Sequence, residues 1–344
     1  MPAKTLRYSG DQKGRACAIY GPICSKKVIH LTTQTRRLTL RIPGSTSNLG
    51  PGFDTCALAL AVYCRLTFDL LDGNDPNVPL ITFSGSIAKS SRPDDAGNLI
   101  YKMMSELWKD DKVLLERIRI HIDSDIPLGS GLGSSAAALL GSLWAANVFK
   151  DRIPTTGTLL AQATTLEGHS ESLAASLMGK FVITARSAFK NSIIARQHDW
   201  PDAWKTIFVV PKTRMRTADS RAVLPTQLPF RDAVANIQRT ALLVSAVAAC
   251  DENTLKEALN DRIHEPYREN LIPLYGTLKK ALVNQPVLGC VLSGGGPSML
   301  VIVNEKNKQR LLNHLAEWAE TEEQPPLILD IPVATQGIQE IHDS

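Results

Sequence analysis

The sequence predicts an α+β fold in two domains, and three observations lead there. Strand-like and helix-like segments are mixed without the regular strand–helix–strand spacing of a doubly wound sheet. The 344 residues, 44% hydrophobic and 21% charged, are enough for two cores in an ordinary globular chain. The apolar rhythm lapses near residues 186–204, where the boundary is expected. This gives a basic N-terminal extension at 1–37, a first domain at 38–195 and a second at 196–344.

The extension carries eight Lys or Arg and one acid, Asp11, which leaves 30 basic against 33 acidic residues in the remainder. The basic excess therefore belongs to the leader, and the body has no nucleic-acid signature. The leader lacks sustained periodicity and a secretory apolar core. A disordered tail or translated upstream sequence is expected there, with an organelle transit peptide as the alternative. No apolar run approaches the roughly 18 residues of a membrane span, so no membrane partner is expected. The cysteines at 17, 24, 56, 64, 250 and 290 form no C-x-x-C pair, which points to a reducing, cytoplasmic setting rather than disulfides or zinc.

Arg37–Ile42 alternates polar and apolar residues and predicts the first strand. Pro43–Asp54 follows as a small-residue loop, then Ala57–Leu71 as a second strand ending in the turn cluster Asp72–Pro76. Leu99–Leu107 has helical spacing behind Asn98. Isoleucines at every second position of Arg117–Ile122 predict a half-buried strand. Ala136–Phe149, rich in Ala and Leu, predicts a helix. Phe181–Ile183 and Ile207–Val210 are short buried strands. Ala233–Ala249 and Asn253–Leu259 are helices, the latter capped by Asn253. Cys290–Leu292 and Leu300–Val303 are strands flanking a glycine-rich turn.

Between the isoleucine strand and the Ala-rich helix lies Ile126-Pro127-Leu128-Gly129-Ser130-Gly131-Leu132-Gly133-Ser134-Ser135-Ala136. A glycine-rich turn opening a helix presents backbone N–H groups at the positive end of the helix dipole, which suits a phosphate. A Walker A loop requires a Lys that is absent, and a dinucleotide fingerprint requires Gly where Ser134 stands. A capped turn without ligand is the other reading of these residues. The loop Pro43–Asp54 offers an amide, Asn48, and a carboxylate, Asp54, to a small polar ligand, or is an ordinary turn. Ser293-Gly294-Gly295-Gly296-Pro297-Ser298 allows close backbone approach, or is a plain β-turn.

These three segments, in this order, resemble the three motifs of the GHMP kinases (galactokinase, homoserine kinase, mevalonate kinase and phosphomevalonate kinase). Pro43–Asp54 resembles the first motif as homoserine kinases carry it. Thr217–Pro225 and Asp261–Arg268 resemble two further segments of that family, each supplying an arginine to the substrate carboxylate. Guanidinium forks suit that task through paired, charge-assisted hydrogen bonds.

The resemblance covers Leu38 to the C-terminus. It implies the two-domain GHMP kinase fold: a ribosomal protein S5 domain 2-like first domain and a ferredoxin-like second one. It also implies ATP-dependent phosphorylation of L-homoserine with Mg²⁺. Residue by residue, Ser135 and Glu167 would hold Mg²⁺. Pro127, Leu128, Gly129, Ser130, Gly131, Leu132, Gly133, Ser134 and Ser135, with Gly295, would bind ATP, and Asn98 would touch the adenine region. Asn48, Asp54, His169, Arg221 and Arg268 would surround the substrate, with Asp54 receiving its ammonium. One departure stands out: Glu171 and Ser172 occupy positions where the family has Asp and Asn. Glu171 is then either the base for the substrate hydroxyl or a cap of the following helix. The alternatives are a GHMP kinase for another small hydroxylated acid and a nucleotide-binding homologue without turnover. A homodimer is an open option beside a monomer.

Overall fold

The computed structural model describes residues 36–73, 80–85, 98–190 and 192–342; the greater part of the basic extension lies outside them. In chain order the elements are β1 (Arg36–Asn48), β2 (Gly52–Leu70), β3 (Ile81–Ser84), α1 (Leu99–Leu107), α2 (Lys112–Arg117), β4 (Ile118–Ser124) and α3 (Ser134–Val148). Then come α4 (Thr156–Glu167), α5 (Glu171–Met178), β5 (Phe181–Arg186), β6 (Ile193–His198), β7 (Trp204–Val210), α6 (Thr217–Ala222), α7 (Phe230–Ala249) and α8 (Glu252–Ala258). The last are α9 (Glu265–Arg268), α10 (Pro273–Ala281), β8 (Val287–Leu292), β9 (Met299–Asn304), α11 (Glu305–Thr321), β10 (Leu327–Asp330) and β11 (Gln339–Ile341).

Two sheets result, a mixed α+β architecture as the sequence predicts. The first runs β11-β1-β2-β4-β3, with β5 on the far end of β2 and β6 beyond it; the second runs β10-β7-β9-β8. Every pairing is antiparallel except β3 with β4. Alternation sets the inner face: Leu38, Leu40 and Ile42 of β1 are buried, as are Leu66, Phe68 and Leu70 of β2. Against the first sheet lies α3, whose residues from Ala136 to Leu143 are all buried. A helix apolar on every side belongs in a core. Burial of Ile207 and Val209 from β7 with Tyr275, Leu278, Leu311 and Leu315 joins the second sheet to α10 and α11.

Several expectations need correction. Arg36 and Arg37 already belong to β1, so the extension ends earlier than residue 37. The loop expected at Pro43–Asp54 is mostly strand: β1 continues through it with bulges at Pro43/Gly44 and Ser47/Asn48, and the turn is confined to Leu49–Pro51. Bulges let a strand carry small polar residues past the core without exposing its ladder. Asp251, not Asn253, caps α8, accepting from the amides of Asn253 and Thr254. Helix α7 begins at Phe230, three residues before the expected start. The boundary drawn after residue 195 falls inside β6, and β11 rejoins the first sheet beside β1.

Asn98 caps α1, its Oδ1 accepting from the amides of Ile100 at 2.9 Å and Tyr101 at 3.4 Å. Asn98→Ala is expected to lower stability by about 1 kcal/mol through loss of that cap. Chemical denaturation measures it, and a KM for ATP that stays unchanged identifies the cap as the residue's whole contribution.

Candidate active site

Three loops are stitched together by backbone bonds. Ser45 N–H donates to Leu132 O, Gly294 N–H to Ser47 O, and Ser298 N–H to Ser130 O, all at 3.0–3.1 Å. The Ser293 hydroxyl bonds Thr46 Oγ1 and Gly131 O. Gly131 has φ +81°, and a Cβ there would run into the carbonyls of Ser293 and Gly296. Only glycine fits that crossing. Between the loops lies a cavity of about 270 Å³.

One wall is the start of α3. Gly129, Gly131 and Gly133 all have positive φ, and Gly133 occupies the cap position without a side-chain cap. The first N–H groups of a fifteen-residue helix thus face the cavity without a capping side chain, which fits a phosphate. Ser134 and Ser135 line the cavity with Gly129, Gly131, Gly133 and Gly295. Pro127, Leu128, Ser130 and Leu132 do not line it. Ser130 closes the turn onto Pro127 O, and Leu132 is buried in the core.

At the end of α4, Glu167 Oε2 accepts from the Ser135 hydroxyl at 3.4 Å. Two hard oxygen donors beside a phosphate site fit Mg²⁺, which takes few protein ligands and completes its shell with phosphate and water. Among the described residues no cluster of three His, Cys, Asp or Glu offers a closed metal cage. His169 stands between two carboxylates, with Nε2 3.7 Å from Glu167 and Nδ1 3.6 Å from Glu171. His169 Nδ1 and Glu171 Oε2 are buried without hydrogen-bond partners, and both residues line the cavity. Orphaned buried atoms of this kind point to a polar ligand. Burial pushes the Glu171 carboxyl above the ordinary range, helped by Asp54 and opposed by His169 and Arg221. Glu171 is the first residue of α5, a helix with no side-chain cap bond, so capping does not account for it.

The opposite wall holds the charged pair expected to read a zwitterion. Asp54 accepts two bonds from Arg221, at 2.5 and 3.1 Å. For Arg221, burial acts downward, but the bond and charge of Asp54 outweigh it and raise the guanidinium. Arg268 is 2% exposed and donates to Ser220 O, His264 Nδ1 and Gly294 O. Asn48 lines the cavity but uses both ends of its amide internally, donating to Gly294 O and accepting from Asp54 N–H. Asn48 and Asp54 have φ of +73° and +52°, a region that Asn and Asp tolerate better than most residues.

The cavity thus gathers Asn48, Asp54, Glu167, His169, Glu171, Arg221 and Arg268, and leaves Asn98 at its helix cap. Sequence reasoning missed Met215 and Arg216, which also line the cavity. Their only signal was adjacency to Arg221. A second cavity of about 520 Å³ lies elsewhere. Its lysines Lys180, Lys205 and Lys308 are already paired with Asp199, Glu305 and Asp330, and none of the orphaned polar atoms lies in it.

Two family models match the chain: GHMP kinases N terminal domain over residues 98–180, and GHMP kinases C terminal over 243–321. A homoserine kinase from Synechocystis sp. is 33% identical over 81% of this chain and 90% of its own length. One from Halothermothrix orenii is 34% identical over 78% and 85%. The crystal structure of homoserine kinase from Cytophaga hutchinsonii superposes with a TM-score of 0.74 at 23% identity, covering 91% of this chain and 100% of that one. Mevalonate diphosphate decarboxylase from Staphylococcus aureus shares the fold at a TM-score of 0.64 and 16% identity, over 91% and 100%. With its three loops closed around one cavity and relatives of this similarity over most of its length, the chain belongs to the homoserine kinase family of the GHMP kinases.

Proposed function

We propose that the protein transfers the γ-phosphoryl group of ATP to the side-chain hydroxyl of L-homoserine, giving O-phospho-L-homoserine and ADP for threonine biosynthesis. The observation that carries this is the juxtaposition of the Asp54–Arg221 pair and Arg268 with the uncapped start of α3 in one cavity. A ligand with an ammonium and a carboxylate satisfies Asp54 and the two arginines at once. Its hydroxyl then faces the loop that suits the phosphates.

In this reading the hydroxyl oxygen forms the new O–P bond while the bond from Pγ to the bridging oxygen breaks, its electron pair leaving with ADP. The hydroxyl proton passes to Glu171, a buried carboxylate with an unpartnered oxygen in the cavity. Transfer of this kind rests on positioning and charge neutralisation, which the loop amides and the α3 dipole supply. Ser135 and Glu167 would hold Mg²⁺, which supplies charge neutralisation at the phosphates. Ser135→Ala is expected to raise the half-saturating Mg²⁺ concentration about tenfold or more. KM for L-homoserine stays as it was, which steady-state kinetics at varied Mg²⁺ checks.

The same proposal divides the labour, with α3 and the end of α4 serving ATP and α6 and α9 contributing the arginines. It also sets the protein in the cytoplasm, supported by the free state of Cys56, Cys64, Cys250 and Cys290. Among the described residues no helix is long and apolar enough to cross a membrane.

The test is ADP release from Mg-ATP with L-homoserine, compared with L-serine, L-threonine, mevalonate and galactose. Selective turnover of L-homoserine supports the reading. Turnover of another alcohol supports the second one, a kinase for a different small hydroxylated acid. That alternative is favoured by Glu171 and Ser172, which line the cavity in place of the family's Asp and Asn. ATP binding without turnover on any acceptor overturns both.

A further inference from the structure

His264 is fully buried and makes two bonds that fix its protonation pattern. Nε2 lies 2.8 Å from Gly50 O, and a carbonyl only accepts, so Nε2 carries the hydrogen. Nδ1 therefore holds a lone pair, and Arg268 Nη1 donates to it at 2.9 Å. The His264 ring also stacks on Phe53, with centroids 5.1 Å apart and planes 27° from parallel. Both guanidinium groups, Arg221 and Arg268, sit 5.4 Å from the Phe53 ring centroid. That is within the range for attraction between a cation and a π face.

We propose that His264 is the positioning residue of the substrate-carboxylate site. It aims Arg268 through Nδ1 and supports Phe53, on whose ring both arginines rest. Arg268 passes the constraint on, since its Nε donates to Ser220 O, one residue before Arg221 on α6. The histidine is itself anchored. Asp261 Oδ2 accepts the amides of Ile263, His264 and Glu265, and Asp261 Oδ1 accepts from Asn236 on α7. Burial, with the charge of Arg268, pulls His264 down to about 4, so the ring stays neutral and keeps the lone pair that Arg268 needs.

The inference rests on the proposed homoserine reading and is tested with three variants. His264→Asn keeps an acceptor near Nδ1, His264→Gln keeps a donor near Nε2, and His264→Leu keeps neither. His264→Leu is expected to raise KM for L-homoserine about tenfold, with KM for ATP and kcat within about twofold. His264→Asn should recover most of that KM, and His264→Gln should not. Phe53→Leu, at a partly exposed position, is the companion should the Leu variant fail to fold; it should shift the same KM alone. Equal rises in both KM values, or equal rescue by Asn and Gln, overturn the positioning role while leaving the kinase assignment standing. A wild-type enzyme inactive on L-homoserine overturns the substrate assignment, and the positioning role with it.

Discussion

Arg221→Ala is expected to raise KM for L-homoserine by about thirtyfold to a few thousandfold while KM for ATP moves by no more than about twofold. The range corresponds to the ~2–5 kcal/mol lost when one member of a hydrogen-bonded charge pair is truncated. The lower half is expected, because both side chains of the Asp54–Arg221 pair are 36% exposed and solvent screens them. Removal acts twice: the substrate carboxylate loses a guanidinium donor, and Asp54 loses the two bonds that hold it in place to receive the ammonium. Arg221→Lys restores the charge without the fork and should recover only part of the loss. Initial-rate kinetics with each substrate varied in turn decides the matter, and equal rises in both KM values would remove Arg221 from the carboxylate site.

Glu171→Gln is expected to reduce kcat by about 10²–10⁴, the usual contribution of a positioned proton acceptor. Stability should move the other way. Burial raises the Glu171 carboxyl above its ordinary range, so the fold favours the protonated form. Its contribution to stability is then full below the ordinary glutamate value and fades as pH rises through the raised one. Glutamine imitates the protonated form at every pH, so the variant should melt at the same temperature or higher near pH 7–8. The wild-type kcat profile should show an acid limb displaced upward from an ordinary carboxylate, and the variant should lack it. Thermal melts paired with a pH–rate profile read both effects. A variant that is active but less stable would show that Glu171 serves the fold instead of proton transfer.

Much of this was legible in the chain because it is written in local terms. The glycines at 129, 131 and 133, followed by an Ala-rich run, state a tight turn into a helix start. Alternation in Leu38–Ile42 and Ile118–Ile122 states two strands. Other features depend on distant partners. Pro43–Asn48 reads as a loop from its small polar residues, yet it is strand because Tyr63 and residues 57–60 pair with it. The Asn98 cap is a further case: its neighbours Leu99 and Ile100 suggest a ligand residue, and its Oδ1 accepts from the first turn of α1. His264 was invisible as a functional group because its partners, Gly50 and Phe53, lie more than two hundred positions away. The spacing of His264 and Arg268, four residues apart and so on one helical face, was the available hint.

The pairing of β11 with β1 bears on how the chain is made. Thr39–Arg41 finds its partner strand in Gln339–Ile341, and the amides of Ala61 and Lys180 find theirs in Pro332 and Ala334. During synthesis the open edge of β1 waits for about 300 more residues, roughly 15–60 s at 5–20 residues per second. An unpaired edge beside Leu38, Leu40 and Ile42 is a template for intermolecular strand pairing. This sheet therefore closes only once Ile341 has been made, well after the ATP-binding elements are complete. A chain truncated before Pro332 should accumulate as aggregate even though it still contains every residue that lines the cavity.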